Sequence, residues 1–236
     1  MLQTALKNLL PPFLFQALRK FYNSHYSSKN DLYSKMSKYL NYDNGYYIEL
    51  GAYDGIAQSN TYRLERKQYW KGLLIEPSPN KYFECINNRS VANHIVCAAC
   101  VSFDYKDEFV KIKYSGFFTA PVSVETDLTD LEAHAATGAQ YLSKGEKVFE
   151  FGAKAVTLTK LLKEANAPSH IDFLSLDVEG GEMEVLKGID HTAYRFKYML
   201  IECRNFEKVN SYLERQRYRF KEQMSRHDYL FVPVES

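Results

Sequence analysis

From Gly45 onward, short apolar runs alternate with polar, helix-compatible stretches. The pattern predicts strands at 46–50, 72–76, 93–97, 171–176, 197–202 and 228–233. Helices are predicted near 59–68, 79–88, 157–165, 181–187 and 207–222. Strands separated by helices of this length specify a mostly parallel sheet covered on both faces by crossover helices, a doubly wound α/β fold. Two punctuation marks support these bounds. Pro79 suits the first turn of a helix, where its missing N–H has no partner to lose. Gly188, after Leu186-Lys187, is a natural helix stop.

The rhythm breaks between 103 and 155. Phe109-Val110-Lys111-Ile112-Lys113-Tyr114 alternates like a strand with one wet face, Ser115 to Thr119 reads as a loop, and Asp127 to Leu142 as a polar helix carrying His134. So long an excursion from an α/β core is usually a lid or a substrate-binding insertion. We expect a strand pair with a flexible cover. The predicted division is an N-terminal helical segment and linker over 1–44 and an α/β domain over 45–236, with 103–155 inserted in it. Within 1–22, Leu9-Leu10-Pro11-Pro12-Phe13-Leu14-Phe15 is too short to span a bilayer and is broken by prolines. It also lacks a signal-peptide cleavage pattern. An amphipathic helix from Phe13 to Tyr22 would pack on the domain or lie on an anionic membrane surface. Residues 23–30 read as linker, and Asp31 to Leu40 as a lead-in helix.

Composition narrows the class without naming it. The chain has 236 residues, 45% of them hydrophobic and 25% charged, as expected of a soluble domain with a sizeable core. A net charge of +1 gives no basic face for nucleic acid. Nineteen tyrosines fill half-buried surface or present flat rings with a hydroxyl to a polar substrate such as a sugar. Cys85, Cys97, Cys100 and Cys203 form no disulfide framework, and no second pair or nearby histidine turns Cys97-Ala98-Ala99-Cys100 into a zinc site. Core packing and a reducing cytosol account for them.

The chemistry concentrates where strands end. Ile48-Glu49-Leu50-Gly51-Ala52-Tyr53-Asp54-Gly55 closes an apolar run with an acidic residue and two glycines, which let the backbone turn sharply and approach a ligand. The next run, Gly72-Leu73-Leu74-Ile75, ends in Glu76, at the separation where an acidic strand tip accepts ribose hydroxyls. A dinucleotide needs G-x-G-x-x-G to seat its pyrophosphate; here Tyr53 occupies a position wanting a small residue, and Glu49 would repel phosphate. S-adenosylmethionine has no phosphate and carries an ammonium and a sulfonium, so an acidic loop suits it. The candidate cofactor contacts are Glu49, Gly51, Tyr53, Asp54, Gly55, Asn60, Glu76, Pro77 and Asp177. Glu49 would orient the loop or meet the ammonium. Ser59 or Asn60 would cap the next helix or touch ligand.

A third segment, Ile171 to Glu182, runs from a hydrophobic strand into Asp177-Val178-Glu179-Gly180-Gly181-Glu182. With Ile48–Gly55, Leu74–Pro79, Val156-Thr157-Leu158, Ile201-Glu202 and Ser59-Asn60-Thr61, it closely resembles the FkbM family of S-adenosylmethionine-dependent methyltransferases over roughly 45–205. The resemblance implies a class I methyltransferase fold, Rossmann-like with an inserted lid. It also implies O-methylation, often of sugars or natural products. Tyr53 departs from the family, which commonly has a small or polar residue there.

Asp177 ends the strand at which the sheet order should reverse, where open α/β sheets bind ligands. It would hold the methionine end of the donor or deprotonate an acceptor hydroxyl. Transfer to a hydroxyl needs in-line positioning and usually a general base; the candidates are Asp177, Glu179, Glu202 and His134. Glu182 near a helix start reads as a cap, and His134 as a surface residue. A divalent cation such as Mg²⁺ held by these carboxylates is the disfavoured alternative, and no metal ligands are assigned. We therefore expect a cytoplasmic methyltransferase, at the inner face of the membrane if residues 1–22 touch lipid, acting on a glycan or glycosylated small-molecule acceptor in surface-polysaccharide biosynthesis. The rivals are O-methylation of a small secondary metabolite and a non-catalytic scaffold in a glycan assembly complex. The intact acidic tips argue against the scaffold.

Overall fold

The computed structural model describes residues 30–143 and 145–234. The expected amphipathic helix within 1–22, and nearly all of the linker, lie outside the described residues. In chain order the elements are α1 (Asn30–Ser37), β1 (Tyr46–Leu50), α2 (Tyr62–Gln68), β2 (Lys71–Ile75), α3 (Pro79–Asn88) and β3 (His94–Val96). The middle of the chain holds β4 (Ala99–Cys100), β5 (Phe109–Tyr114), β6 (Ala120–Pro121), α4 (Leu131–Ala139), β7 (Phe149–Val156) and α5 (Leu158–Glu164). Then come β8 (His170–Leu176), α6 (Glu182–Lys187), β9 (Arg195–Glu202), α7 (Phe206–Arg215), β10 (Tyr218–Gln223) and β11 (Asp228–Pro233).

Seven strands form the main sheet in the order β10-β11-β9-β8-β1-β2-β3. The pairs from β9 to β3 are parallel, and β11 runs antiparallel to both β9 and β10. This is the predicted α/β architecture. Apolar side chains lie on both faces of the central strands. Ile48, Leu50, Leu174 and Leu176 join the core that also takes Leu161, Leu186 and Leu213, while Tyr47, Leu74 and Phe173 pack with Leu32, Met36 and Trp70 on the other side. Two buried faces explain why these strands read as near-continuous apolar runs rather than alternating ones. Each fully buried Leu or Ile contributes about 1.5–3 kcal/mol of transfer free energy.

The chain doubles back after β1. It builds β2 and β3 on one side, then returns to place β8 and β9 on the other, so the order reverses between β1 and β8. The two strands pair in register from Tyr47 opposite Phe173 to Leu50 opposite Leu176. Their carboxyl ends therefore open side by side.

The single helix expected over 207–222 is a correction. Helix α7 stops at Arg215, Arg217 takes a left-handed backbone (φ 62°), and β10 begins at Tyr218. Val209 and Leu213 anchor the helix in the core, but one turn later the sequence offers Arg217 in place of an apolar residue. Tyr218 is buried instead as the first strand residue. Its hydroxyl accepts the Phe196 amide at 3.0 Å, and the Arg195 guanidinium lies 4.0 Å from its ring centre. Tertiary burial of one tyrosine overrides a locally helix-compatible stretch.

Residues 103–155 supply most of a second, four-stranded sheet in the order β4-β7-β5-β6, with β5 and β7 antiparallel over six residue pairs from Phe109–Lys154 to Tyr114–Phe149. The alternation along β5 is real: Val110, Ile112 and Tyr114 are buried, and the residues between them are wetter. The segment between β5 and β7 crosses the carboxyl end of the main sheet, carrying Phe117, Phe118 and α4. All four cysteines are free thiols. No helix among the described residues is long and apolar enough to cross a membrane.

Candidate active site

Gly51 and Asp177, the first residues beyond β1 and β8, meet at the reversal point. The Asp177 amide donates to the Leu50 carbonyl at 3.3 Å, and Gly51 is left-handed (φ +77°). A Cβ added to Gly51 would sit 1.9 Å from the Asp177 carbonyl oxygen, so no other residue fits without moving β8. Above this junction lies a cavity of ≈ 360 Å³. Of the sequence candidates, Gly51, Tyr53, Glu76, Pro77, Asp177, Glu179 and Glu202 line it. Glu49, Asp54, Gly55, Asn60 and His134 are not on its wall.

Four of those five build the loop behind the cavity. The Glu49 carboxylate is buried and occupied: it accepts the Ser59 hydroxyl (2.9 Å), the Asn60 amide (2.9 Å) and the Thr61 hydroxyl (2.5 Å), with the Arg89 guanidinium at 3.4 Å. Charge compensation from Arg89 lets this carboxylate stay buried. Asp54 Oδ1 accepts the amides of Ile56 (2.9 Å) and Ala57 (2.7 Å), closing an Asx turn. Gly55 (φ +80°) leaves room for Arg89, whose Cγ would stand 2.8 Å from an added Cβ. The Asn60 side chain donates to the Ser175 hydroxyl at 3.0 Å and pins the loop to β8. Ser59 Oγ accepts the amides of Thr61 (3.2 Å) and Tyr62 (3.0 Å), while the N-cap of α2 is Thr61, not Ser59 or Asn60, and its side chain makes no capping bond.

Glu76 stands differently. Its carboxylate accepts the Tyr53 amide at 2.8 Å and the Ser78 amide at 2.9 Å, tying the glycine loop to the start of α3 while facing the cavity. Burial pushes its pKa up, and the Ser78 and Tyr53 amides partly offset this. A desolvated carboxylate with lone pairs to spare is a strong acceptor for paired hydroxyls. Tyr53, in a left-handed conformation (φ 48°), stacks on Phe117 of the lid at 4.4 Å between ring centres and lies under the Lys81 ammonium at 4.6 Å. The tyrosine that departs from the family pattern is thus a bridge between loop and lid. Lys81 in turn pairs with Glu146 (3.0 Å), which accepts the Tyr114 hydroxyl (3.0 Å), so the lid is held down on the glycine-loop side.

On the other side the carboxylates gather. Asp177 and Glu202 are hydrogen-bonded to each other. Burial, then the Glu202 charge, drives Asp177 well above the usual carboxylate range; burial, then Glu179, raises Glu202. Glu179, held left-handed (φ 53°), is bound by Arg204 at 2.9 Å and approached by His134 Nε2 at 3.1 Å. His134 is not the surface histidine expected: its side chain is 10% exposed and its ring packs edge-on against Phe118 at 5.1 Å. It pins the lid rather than facing the cavity. Glu182 caps its own turn, accepting the amides of Val178 and Gly180 at 3.1 Å each, and burial beside the charge of Asp127 pushes it up to about 8.

Among the wall residues not anticipated from the sequence are Phe117, Phe118, Arg204 and His227. Arg204 lies two residues beyond Glu202, the end of β9, and an arginine so near an acidic strand end is a usable signal. His227 sits on the turn before β11, and nothing local marks it. Among the described residues, no group of three His, Cys, Asp or Glu side chains is arranged to hold a metal ion. A cavity with an amide-backed carboxylate at one end and a hydrogen-bonded carboxyl pair at the other fits a nucleoside carrying positive charge. Replacing Glu76 by alanine is expected to weaken S-adenosylhomocysteine binding by about 1.5–3 kcal/mol in calorimetry, the scale of hydrogen bonds to a charged group. Unchanged affinity would remove Glu76 from the site.

Solved structures of similar course include three methyltransferases. They are precorrin-6y C5,15-methyltransferase from Geobacter metallireducens GS-15 (10% identity, 86% of this chain and 87% of that one, TM-score 0.44), a human methyltransferase 10 domain containing protein (14%, 87% and 83%, 0.44), and the plantazolicin methyltransferase BpumL in complex with S-adenosylhomocysteine (9%, 99% and 95%, 0.36). Comparison with curated proteins finds no match. The methyltransferase FkbM domain matches residues 49–220, from the glycine loop into β10. That match covers the two acidic strand tips, the Asp177–Glu182 turn and the lid together, and the chain belongs to the FkbM family of S-adenosylmethionine-dependent methyltransferases.

Proposed function

We propose that the protein methylates a hydroxyl oxygen of a sugar ring, on a compact glycan or glycosylated small-molecule precursor in surface-polysaccharide biosynthesis on the cytoplasmic side. The observation that carries this is the roof. Phe117 and Phe118 of the lid face the same cavity as Glu76, Asp177 and Glu202. An acceptor held there meets aromatic faces above and carboxyl groups below. Sugar rings, with an apolar face and a polar rim, match that division. In this reading residues 45–236 are the methyltransferase domain, 103–155 its acceptor-binding lid, and residues 1–22 a segment that contacts a membrane surface.

The donor supplies an electrophilic methyl group on a sulfonium. What the chain supplies is placement. Glu76 takes the ribose hydroxyls, Gly51 lets the loop come close, and the Asp177–Glu202 pair balances the positive end. The lid excludes water, which strengthens each of these interactions. A second reading, a small secondary metabolite as acceptor, is favoured by the apolar lid wall of Val110, Ile112, Pro121 and Val124.

One experiment separates the readings. Cells with and without the protein are fed methyl-labelled methionine, and their surface glycans and organic-solvent extracts are compared by mass spectrometry. A protein-dependent mass gain of one CH₂ per sugar in the glycan fraction is the expected result. The same gain confined to the organic extract selects the metabolite. Label in neither fraction, from a protein that still binds S-adenosylhomocysteine, selects a scaffold.

A further inference from the structure

We propose that His227 is the general base of the transfer, the catalytic residue that takes the proton from the acceptor hydroxyl. This rests on the hydroxyl-acceptor reading above and deepens it by naming where the proton goes.

Every other candidate base on the wall is already engaged. Glu179 is bound by Arg204 and approached by His134; Asp177 and Glu202 bond each other; Glu76 holds the amides of Tyr53 and Ser78. His134 is off the wall. His227 lines the cavity beside Glu202 and Arg204, and no hydrogen bond or ion pair to another described residue occupies its ring.

Its backbone is fixed while its ring is free. The Cys203 amide donates to the His227 carbonyl at 2.9 Å, tying the turn to the chain between Glu202 and Arg204. The His227 amide donates to the Ser225 hydroxyl at 3.3 Å, as does the Asp228 amide at 3.2 Å. The Met224 amide closes the turn on the Asp228 carbonyl at 2.8 Å. A base needs this combination: a set position and an unspent lone pair.

The charges around it keep the imidazole neutral. Burial, then the guanidiniums of Arg226 and Arg204, lower its pKa below the ordinary histidine value; Asp228 and Asp127 pull the other way more weakly. The other titratable groups on the cavity wall are Tyr53, Glu76, Cys100, Asp177, Glu179 and Glu202. At neutral pH the ring is therefore a proton acceptor.

The step balances as follows. A lone pair of the acceptor oxygen forms the new O–CH₃ bond, and the C–S electron pair returns to sulfur, which becomes a neutral thioether. The hydroxyl proton passes to a ring nitrogen of His227, and the imidazolium later yields it to water.

The test uses labelled S-adenosylmethionine and, as acceptor probe, the cell-extract fraction that the unmutated protein methylates. His227→Gln and His227→Ala should lower turnover at least about 100-fold, the lower end for a positioned base. Both should leave S-adenosylhomocysteine affinity within about twofold, and added imidazole should restore part of the His227→Ala rate. The acid limb of kcat should fall at the pKa read for His227 by NMR with S-adenosylhomocysteine bound, below the ordinary value of about 6.5. Retained turnover in His227→Gln, or a loss matched by lost S-adenosylhomocysteine affinity without imidazole rescue, overturns the assignment. No transfer to any fraction by the unmutated protein overturns the hydroxyl-acceptor reading itself.

Discussion

Arg89→Met is expected to destabilise the protein by about 3–5 kcal/mol, the cost of breaking a buried ion pair from one side, and to abolish measurable S-adenosylhomocysteine binding. The Arg89 side chain is fully buried, and its guanidinium serves two carboxylates at once: Glu65 at 2.6 Å and Glu49 at 3.4 Å. The same group donates to the Gly55 carbonyl (3.0 Å), the Ser59 hydroxyl (3.1 Å), the Tyr47 hydroxyl (2.5 Å) and the Thr61 hydroxyl (2.8 Å). Methionine fills most of the volume and leaves two carboxylates in an apolar interior with no cation. The loop of residues 51–61 then loses the floor that holds it under the cofactor, so the loss of stability and the loss of binding have one cause. Urea unfolding followed by calorimetry checks both. Arg89→Lys should recover only a minor part, because a single ammonium cannot replace a planar fork reaching six partners. A midpoint near that of the unmutated protein would mean that Glu49 and Glu65 find other partners, and the loop is not built on Arg89.

Arg89 also marks the limit of what the sequence discloses. The strands around Leu50, Ile75 and Leu176 were legible because apolar runs bounded by glycine and acidic residues are local patterns, and the reversal point followed from their order. The direction of Glu49 was legible too, as was its role in orienting the loop. Along a strand alternate residues share a face, so Glu49 faces with the buried Tyr47 and away from Leu50. Arg89 meets both Tyr47 and Glu49, as that parity requires. What no local pattern contains is the cation 40 residues further on that satisfies Glu49. The same holds for Phe117, Arg204 and His227, which converge on one cavity from the lid, the β9–α7 junction and the β10–β11 turn. The α7–β10 region failed for a different reason. Its polar residues suit a helix or a wet strand equally, and the burial of Tyr218 decides.

The last expected result concerns the carboxyl pair. Asp177→Asn and Glu202→Gln, each alone, should weaken S-adenosylmethionine binding by less than about 1 kcal/mol, whereas the double variant should weaken it by about 2.7 kcal/mol or more, a hundredfold. Burial and their mutual charge raise both carboxyls, so the pair is expected to carry one negative charge that either residue can hold. An amide in place of one mimics its protonated form and leaves the charge on its partner. Only the double change leaves the positive end of the donor without its counter-charge, because Glu179 is already neutralised by Arg204. Such non-additivity is expected of groups that act as one titrating unit. S-adenosylhomocysteine supplies the control: it keeps the ammonium, ribose and adenine but has no sulfonium charge. The double variant should therefore discriminate against S-adenosylmethionine and leave the product closer to its original affinity. Equal weakening of both ligands would show that the pair shapes the pocket without sensing the charge on sulfur. Additive single effects would show that Asp177 and Glu202 ionise independently, and the single-charge account would fail with them.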